Sequence, residues 1–346
     1  MVRSALRAWP PVTRHAISKT MHPAFSVIFL TTLIGAGQGL FLALFTGQLY
    51  ASVQLIEPQG ADFYTVGSVL SLALLIAGLG ASFFHLGRPE RAWRAASMWR
   101  TSWLSREVIV LPMMMGVVFF YGLFHYLGLT QPWFVAGDGA LPIDATMVLG
   151  LLGVIVAFAL FVCTGMIYAS VKFLEEWHSP YTIGNFTFLG MASGFMLAAA
   201  YSAYLGNHLV GFYGTWAVIF TVLGLGTRIA SLIRNATLKH KSTLQTAIGV
   251  RHRKIVQKSQ GFTASSFNTR EFFHHQSPDF LKLVRLVFLV MVFPVPLTLI
   301  GVSYVLESPT LPIAAFVIQY LGLVAERWYF FAEANHPQNL YYQSIA

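Results

Sequence analysis

Eight apolar runs, each long enough to cross roughly 30 Å of hydrocarbon at about 1.5 Å of helical rise per residue, dominate this chain. They fall near 25–46, 64–84, 107–127, 146–168, 183–205, 211–233, 281–305 and 311–331. Lipid offers no hydrogen bonds to an exposed backbone, so continuous apolar segments of this length must satisfy their own N–H and C=O groups as helices. The expected fold is an all-α integral membrane protein with eight transmembrane helices. Composition agrees: of 346 residues, 56% are hydrophobic and only 10% charged, against about 25% charged in soluble domains.

Charge divides the connections into two alternating sets. Those near 47–63, 128–145 and 306–310 carry Glu57, Asp62, Asp138, Asp144 and Glu307 with no Lys or Arg, and the short turn from Gly206 to Val210 carries no charge. The other set holds Arg3, Arg7, Arg14 and Lys19, five arginines between residues 85 and 107, and a basic loop at 234–280. The positive-inside rule puts the second set, and with it both termini, in the cytoplasm. The domain plan is then a basic cytoplasmic segment at 1–24, an eight-helix membrane domain at 25–331, and a cytoplasmic tail at 332–346. The basic N-terminus is polar and broken by proline, and the run after it is long enough to span, so a retained signal anchor is expected. Leu244, Ile248, Ile255 and Val256 lie among the cations of the 234–280 loop, a pattern for a helix on an anionic lipid surface or for docking an acidic partner.

Several chemistries are excluded or disfavoured. One cysteine, Cys163, cannot form an intrachain disulfide, ligate an iron–sulfur cluster or build a structural zinc site. Haem needs axial imidazoles facing one another at mid-helix, whereas His85, His125, His178 and His208 fall at or beyond helix ends, so no haem and no metal site is expected. The glycines of IGAGQGLFLA at 34–43 have no strand before them and are read as helix-packing positions, as is LGMASGFMLAAA at 189–200. The net charge of +9 is accounted for by topology, with no nucleic acid implied. Gln38, near mid-membrane, is expected to bond across helices. Arg228, Glu326 and Arg327 lie inside apolar runs, where ionisable groups are functional candidates; an Arg228–Glu326 pair would equally serve as structural glue.

The stretch HLGRPERAWRAASMWRTSWLSRE, residues 85–107, reads as a helix stop and start. His85 stands in a last turn, Gly87 suits a left-handed position and Pro89 opens a short surface helix with Glu90 in its first turn. Arg88, Arg91 and Arg94 share a face at three-residue spacing, and Trp93, Trp99 and Trp103 suit the interface. Ser105 is the expected N-cap of the next helix, with Glu107 in its first turn. His85 and Glu107 end adjacent spans on one membrane edge, where a proton donor beside an acceptor fits quinone chemistry, which moves two protons with two electrons.

The H-L-G-x-P of His85, Leu86, Gly87 and Pro89, with S-W-L-S-R-E at Ser102 to Glu107, resembles the membrane anchor subunits of the dimethyl sulfoxide reductase family (DmsC-like). MHPAFSVIFLTTLIGAGQGL at 21–40 and MIYASVKFLEEWHSPYT at 166–182 resemble the same family, and the likeness runs from about Met21 to the eighth span. It implies a haem-free subunit of a bacterial inner-membrane complex. Such a subunit tethers a molybdopterin catalytic subunit and an iron–sulfur subunit and exchanges electrons with quinone or quinol. It also implies a quinone site at His85 and Glu107, to which Arg88, Arg106 and Arg228 are secondary candidates; Arg91, Arg94 and Arg100 are docking candidates. The cytoplasmic placement of this stretch favours a quinone-reducing sulfite dehydrogenase over a dimethyl sulfoxide reductase. A secondary transporter and a purely structural anchor are the alternatives.

Overall fold

A computed structural model describes residues 25–84, 86–136, 141–239, 243–252, 254–255 and 278–334. The helices are α1 (Phe25–Ser52), α2 (Ala61–Phe83), α3 (Trp103–Tyr126), α4 (Ala145–Ala169), α5 (Pro180–Tyr204), α6 (Val210–Thr237), the short α7 (Leu244–Ile248), α8 (Pro278–Val292), α9 (Pro294–Leu306) and α10 (Thr310–Glu333). Among the described residues seven stretches are long and apolar enough to cross a membrane, with 279–306, across α8 and α9, counted as one. The eighth expected span is the 24-residue α10, which carries Glu326 and Arg327.

The centre of the bundle is the crossing of α1 on α5. A Cβ built on Gly194 would strike the backbone of Gly39, and one built on Gly39 would strike the carbonyl of Gly190. One built on Gly35 would sit 3.4 Å from the Gly190 Cα. Small residues allow this approach, and in lipid such close packing is a main source of helix association. Both helices are 78% buried over their apolar windows, against 28% for α2 and α6. Leu40, Phe41, Leu44, Phe161, Phe195 and Met196 fill the surrounding core.

Short side chains set the helix starts. Asp144 accepts from Met147 N at 2.8 Å and starts α4; Ser179 accepts from Tyr181 N before Pro180 opens α5. Gly128 and Gly206, at φ +67° and +65°, turn the chain out of α3 and α5, a backbone region that costs glycine little. The N-cap of α3 is Ser102, which accepts from Ser105 N at 3.3 Å. This corrects the expectation for Ser105 and moves Glu107 out of the first turn. Gly87 is not left-handed either, because α2 already ends at Phe83 with Phe84 right-handed. Pro89 opens a 3-10 helix, Pro89–Met98, with Glu90 in its first turn as expected.

One feature was not foreseen. A small hairpin, Phe134–Ala136 against Leu141–Ile143, lies between α3 and α4. The run 279–306 breaks at Phe293 ahead of Pro294, which has no N–H to continue the ladder. Gln319 of α10, fully buried, donates at 3.2 Å to the Val292 carbonyl, which Pro296 has no N–H to meet, and to Thr221 Oγ1 at 3.1 Å. Gln38, also buried, leaves its Oε1 without a partner among the described residues, whereas Gln319 and Gln48 bond across helices.

Gly194→Ala is expected to destabilise the bundle by about 1–3 kcal/mol, the usual cost of overpacking. Gly80→Ala, where nothing lies within 4 Å, serves as the neutral control. Thermal unfolding of both variants in the same detergent measures the difference.

Candidate functional site

Helix alternation brings the start of α3, the ends of α4, α6 and α10 and the starts of α1 and α5 to one end of the bundle, and Glu107 lies there. It is 6% exposed. Thr164 of α4 donates to its Oε1 at 2.5 Å. The pair joins α3 to α4, and Cys163 is buried beside Thr164.

One helical turn beyond Thr164, the Tyr168 ring enters an aromatic cluster. It stacks on Phe186 at 5.3 Å and meets Trp177, Phe330 and Phe331 edge-on at 5.3–5.5 Å. Trp177 Nε1 donates to the Phe330 carbonyl at 3.0 Å, pinning the α4–α5 loop to α10. Arg327 lies 4.0 Å over the other partner, Phe186, a favourable position for a cation on a ring.

Arg327 belongs to a charged cluster. Its Nε donates to Glu326 Oε2 at 2.5 Å, and Glu326 Oε1 lies 2.9 Å from Arg228 Nε. Arg228 also reaches Glu333 at 3.7 Å and faces Phe288 and Tyr329. Arg228 and Glu326 are fully buried. The Arg228–Glu326 pair anticipated from the sequence is therefore present and extended by Arg327 and Glu333. Arg228 of α6 packs against Phe288 of α8 and Tyr329 of α10 and faces both carboxylates.

The arginine stretch separates into two groups. Arg106 donates to the carbonyls of Trp99 and Arg100 at 2.9 and 2.8 Å and lies 4.1 Å over the Trp103 ring, so it clamps the 3-10 helix to the start of α3. Arg88, Arg91, Arg94 and Arg100 are exposed, with Trp93 and Trp99 standing out beside them at 71% and 53% exposure. Cations interleaved with exposed rings form a ledge suited to an acidic surface or the lipid interface. His85 lies outside the described residues.

The opposite end of the bundle holds a polar network that spacing along the chain did not reveal. His125, eighteen residues beyond Glu107 along α3, roughly 27 Å at the helical rise, stacks on Tyr64 at 4.5 Å and meets Tyr121 edge-on at 4.7 Å. Tyr121 donates to Gln48, Gln48 to Thr146 and Thr146 to Asp144, at 2.7, 2.6 and 2.6 Å. Thr164 was missed as well. A hydroxyl in an apolar run usually bonds its own helix four residues back, and nothing in sequence spacing marks the one that reaches another helix.

Residues 19–333 match the family described as DMSO reductase anchor subunit (DmsC). The chain is also 68% identical, over 326 residues, to the C subunit of the sulfite dehydrogenase of Allochromatium vinosum, a match that covers 94% of this chain and all of that protein.

Arg228→Met is expected to destabilise the protein by about 3–5 kcal/mol, because it takes the facing cation from Glu333 and leaves Glu326 with Arg327 alone. Arg94→Ala on the exposed ledge should stay within about 0.5 kcal/mol of the parent. Denaturation midpoints in detergent distinguish the two.

Proposed function

This chain belongs to the DMSO reductase anchor subunit family, and on that premise we propose that it is the quinone-reactive anchor of a molybdopterin oxidoreductase complex. In this reading it passes electrons between a partner's iron–sulfur clusters and the quinone pool of a bacterial cytoplasmic membrane. The likeness to the C subunit of a sulfite dehydrogenase supports sulfite oxidation as the partner's reaction. The topology has α10 as the eighth span and both termini in the cytoplasm, which follows from the division of Lys and Arg between connections.

The observation that carries the proposal is Glu107: a buried carboxylate at the membrane edge, held through one oxygen by Thr164 and flanked by an arginine and tryptophan ledge. A quinone supplies two-electron, two-proton carbonyl chemistry when bound. Glu107 suits the protonic half, because Thr164 fixes Oε1 and leaves Oε2 as the oxygen that accepts or returns a proton. Thr164 is a positioning residue; it sets the aim of the carboxylate. His85 is the second group, through H-L-G-x-P. Arg88, Arg91, Arg94 and Arg100 are assigned to docking of the iron–sulfur subunit. Arg106 keeps their ledge against α3.

A secondary transporter is disfavoured because such folds pair their broken helices across two repeats, whereas among the described residues one span, 279–306, is broken.

Purification from the native membrane should bring molybdopterin and iron–sulfur subunits with the chain; isolation without them would end this reading. Within the intact complex, Glu107→Gln and His85→Ala should each weaken quinone-analogue binding about tenfold or more, the scale of a hydrogen bond to a charged group, with assembly unchanged. Equal affinity in both would leave a structural anchor. Thr164→Val should lower quinone-linked turnover about tenfold, and Thr164→Ser should restore most of it, in the same steady-state assay.

A further inference from the structure

Between α1, α5 and α10, below the charged cluster, lies a small cavity lined by Thr31, Thr32, Asn185, Ser193 and Arg327 together with Leu323 and neighbouring residues. Its polar walls are buried: Asn185 and Ser193 are 1% exposed and Arg327 3%. Neither amide atom of Asn185 has a protein partner among the described residues, and neither do Nη1 and Nη2 of Arg327. Arg327 spends its Nε on Glu326 and its face on Phe186, so its remaining N–H groups have no acceptor there. Buried polar groups are nearly always hydrogen-bonded, and four such atoms around one space mark it as a place for something that both donates and accepts.

Size and charge select the occupant. The cavity offers the centre of a water molecule about 20 Å³, whereas one buried water needs roughly 10–15 Å³ on this measure. It is therefore fit for a single water and too small for a headgroup or an organic ligand. An anion would be drawn only by unbalanced positive charge, and the cluster has none: Arg228 and Arg327 face Glu326 and Glu333. A cation would sit against the guanidinium. The hydroxyls complete the argument. The Thr31 hydroxyl donates to Val27 or Ile28 of its own helix and Ser193 to Gly190, while the Thr32 hydroxyl lies within hydrogen-bond distance of the Ile28 and Phe29 carbonyls and of the Tyr320 hydroxyl, at 3.2 Å. The Thr31 and Ser193 oxygens thus face a neighbour as acceptors, whereas Thr32 already has Tyr320 as a partner. Arg327 can only donate, and the Asn185 amide does both.

We infer that this cavity is a binding site for one structural water, which accepts from Arg327 and bonds the Asn185 amide and a threonine oxygen. The water joins α1, α5 and α10 at the point where the charged cluster enters the apolar core. It gives the guanidinium an acceptor without adding charge, and so leaves the pairing of Arg327 with Glu326 undisturbed.

The test is an electron cryomicroscopy map of the purified complex in lipid nanodiscs, at a resolution that shows ordered water. The expected result is one peak within hydrogen-bond distance of both Asn185 and the Arg327 terminal nitrogens. Asn185→Leu should lose the peak and lower the thermal midpoint. Asn185→Asp should also lose it, by pairing directly with Arg327, while keeping most of the stability. An Asn185 side chain turned directly onto Arg327 in the parent protein, with no peak between them, overturns the inference. A thermal midpoint that rises on replacing gluconate with chloride also overturns it, in favour of an anion.

Discussion

The backbone of α1 rests directly on the backbone of α5, at Gly35 and Gly39 against Gly190 and Gly194, and the arrangement of the other helices depends on that contact. Lipid gives no hydrophobic reward for bringing two apolar helices together, so close van der Waals fit must supply it. Once these two axes are drawn in, wide residues on their other faces have space to interlock. Phe161 leans over Gly190, and Phe41 and Phe45 fill the room left by Gly153 and Gly150 of α4. The same logic runs outward: Ser71 of α2 donates to the Gly37 carbonyl at 2.7 Å, a bond possible only because no side chain stands between.

Around this centre two polar clusters lie at opposite ends. At one end are Glu107 with Thr164, the Tyr168 aromatic cluster and the Arg228–Glu326–Arg327 group; at the other are His125, Tyr121, Gln48 and Asp144. Each end is tied together by side chains from three or more helices. Glu107 is thus part of the bundle's packed wall, and the carboxylate proposed to exchange protons is held in a set direction by Thr164.

Much of this was legible in the sequence because lipid imposes so few solutions. All eight apolar runs appear as helical stretches, with ends that differ by a few residues, and the Arg228–Glu326 contact was readable as two opposite charges at matching depths. The misses are local competitions that periodicity cannot decide. Ser102 and Ser105 both suit a helix start, and the N-cap went to the one whose hydroxyl meets a free N–H. Gln38 and Gln319 are both buried amides, but only Gln319 lies beside a carbonyl freed by a proline. Thr164 and Asn185 acquire their meaning from neighbours on other helices, which no spacing along the chain encodes. The family was legible through H-L-G-x-P and L-S-R-E, while the contact that gives Glu107 its setting was not.

The pairing of two guanidinium groups with two carboxylates at Arg228, Arg327, Glu326 and Glu333 leaves the cluster with no net formal charge. A transmembrane voltage acts on net charge, at about 2.3 kcal/mol per elementary charge moved through 100 mV. A neutral group feels no net pull along the field, even at a depth where a lone arginine would be driven toward one surface. Helices α6 and α10 are therefore fastened to each other by an electrically silent rivet, which keeps its place whether the membrane is energised or discharged.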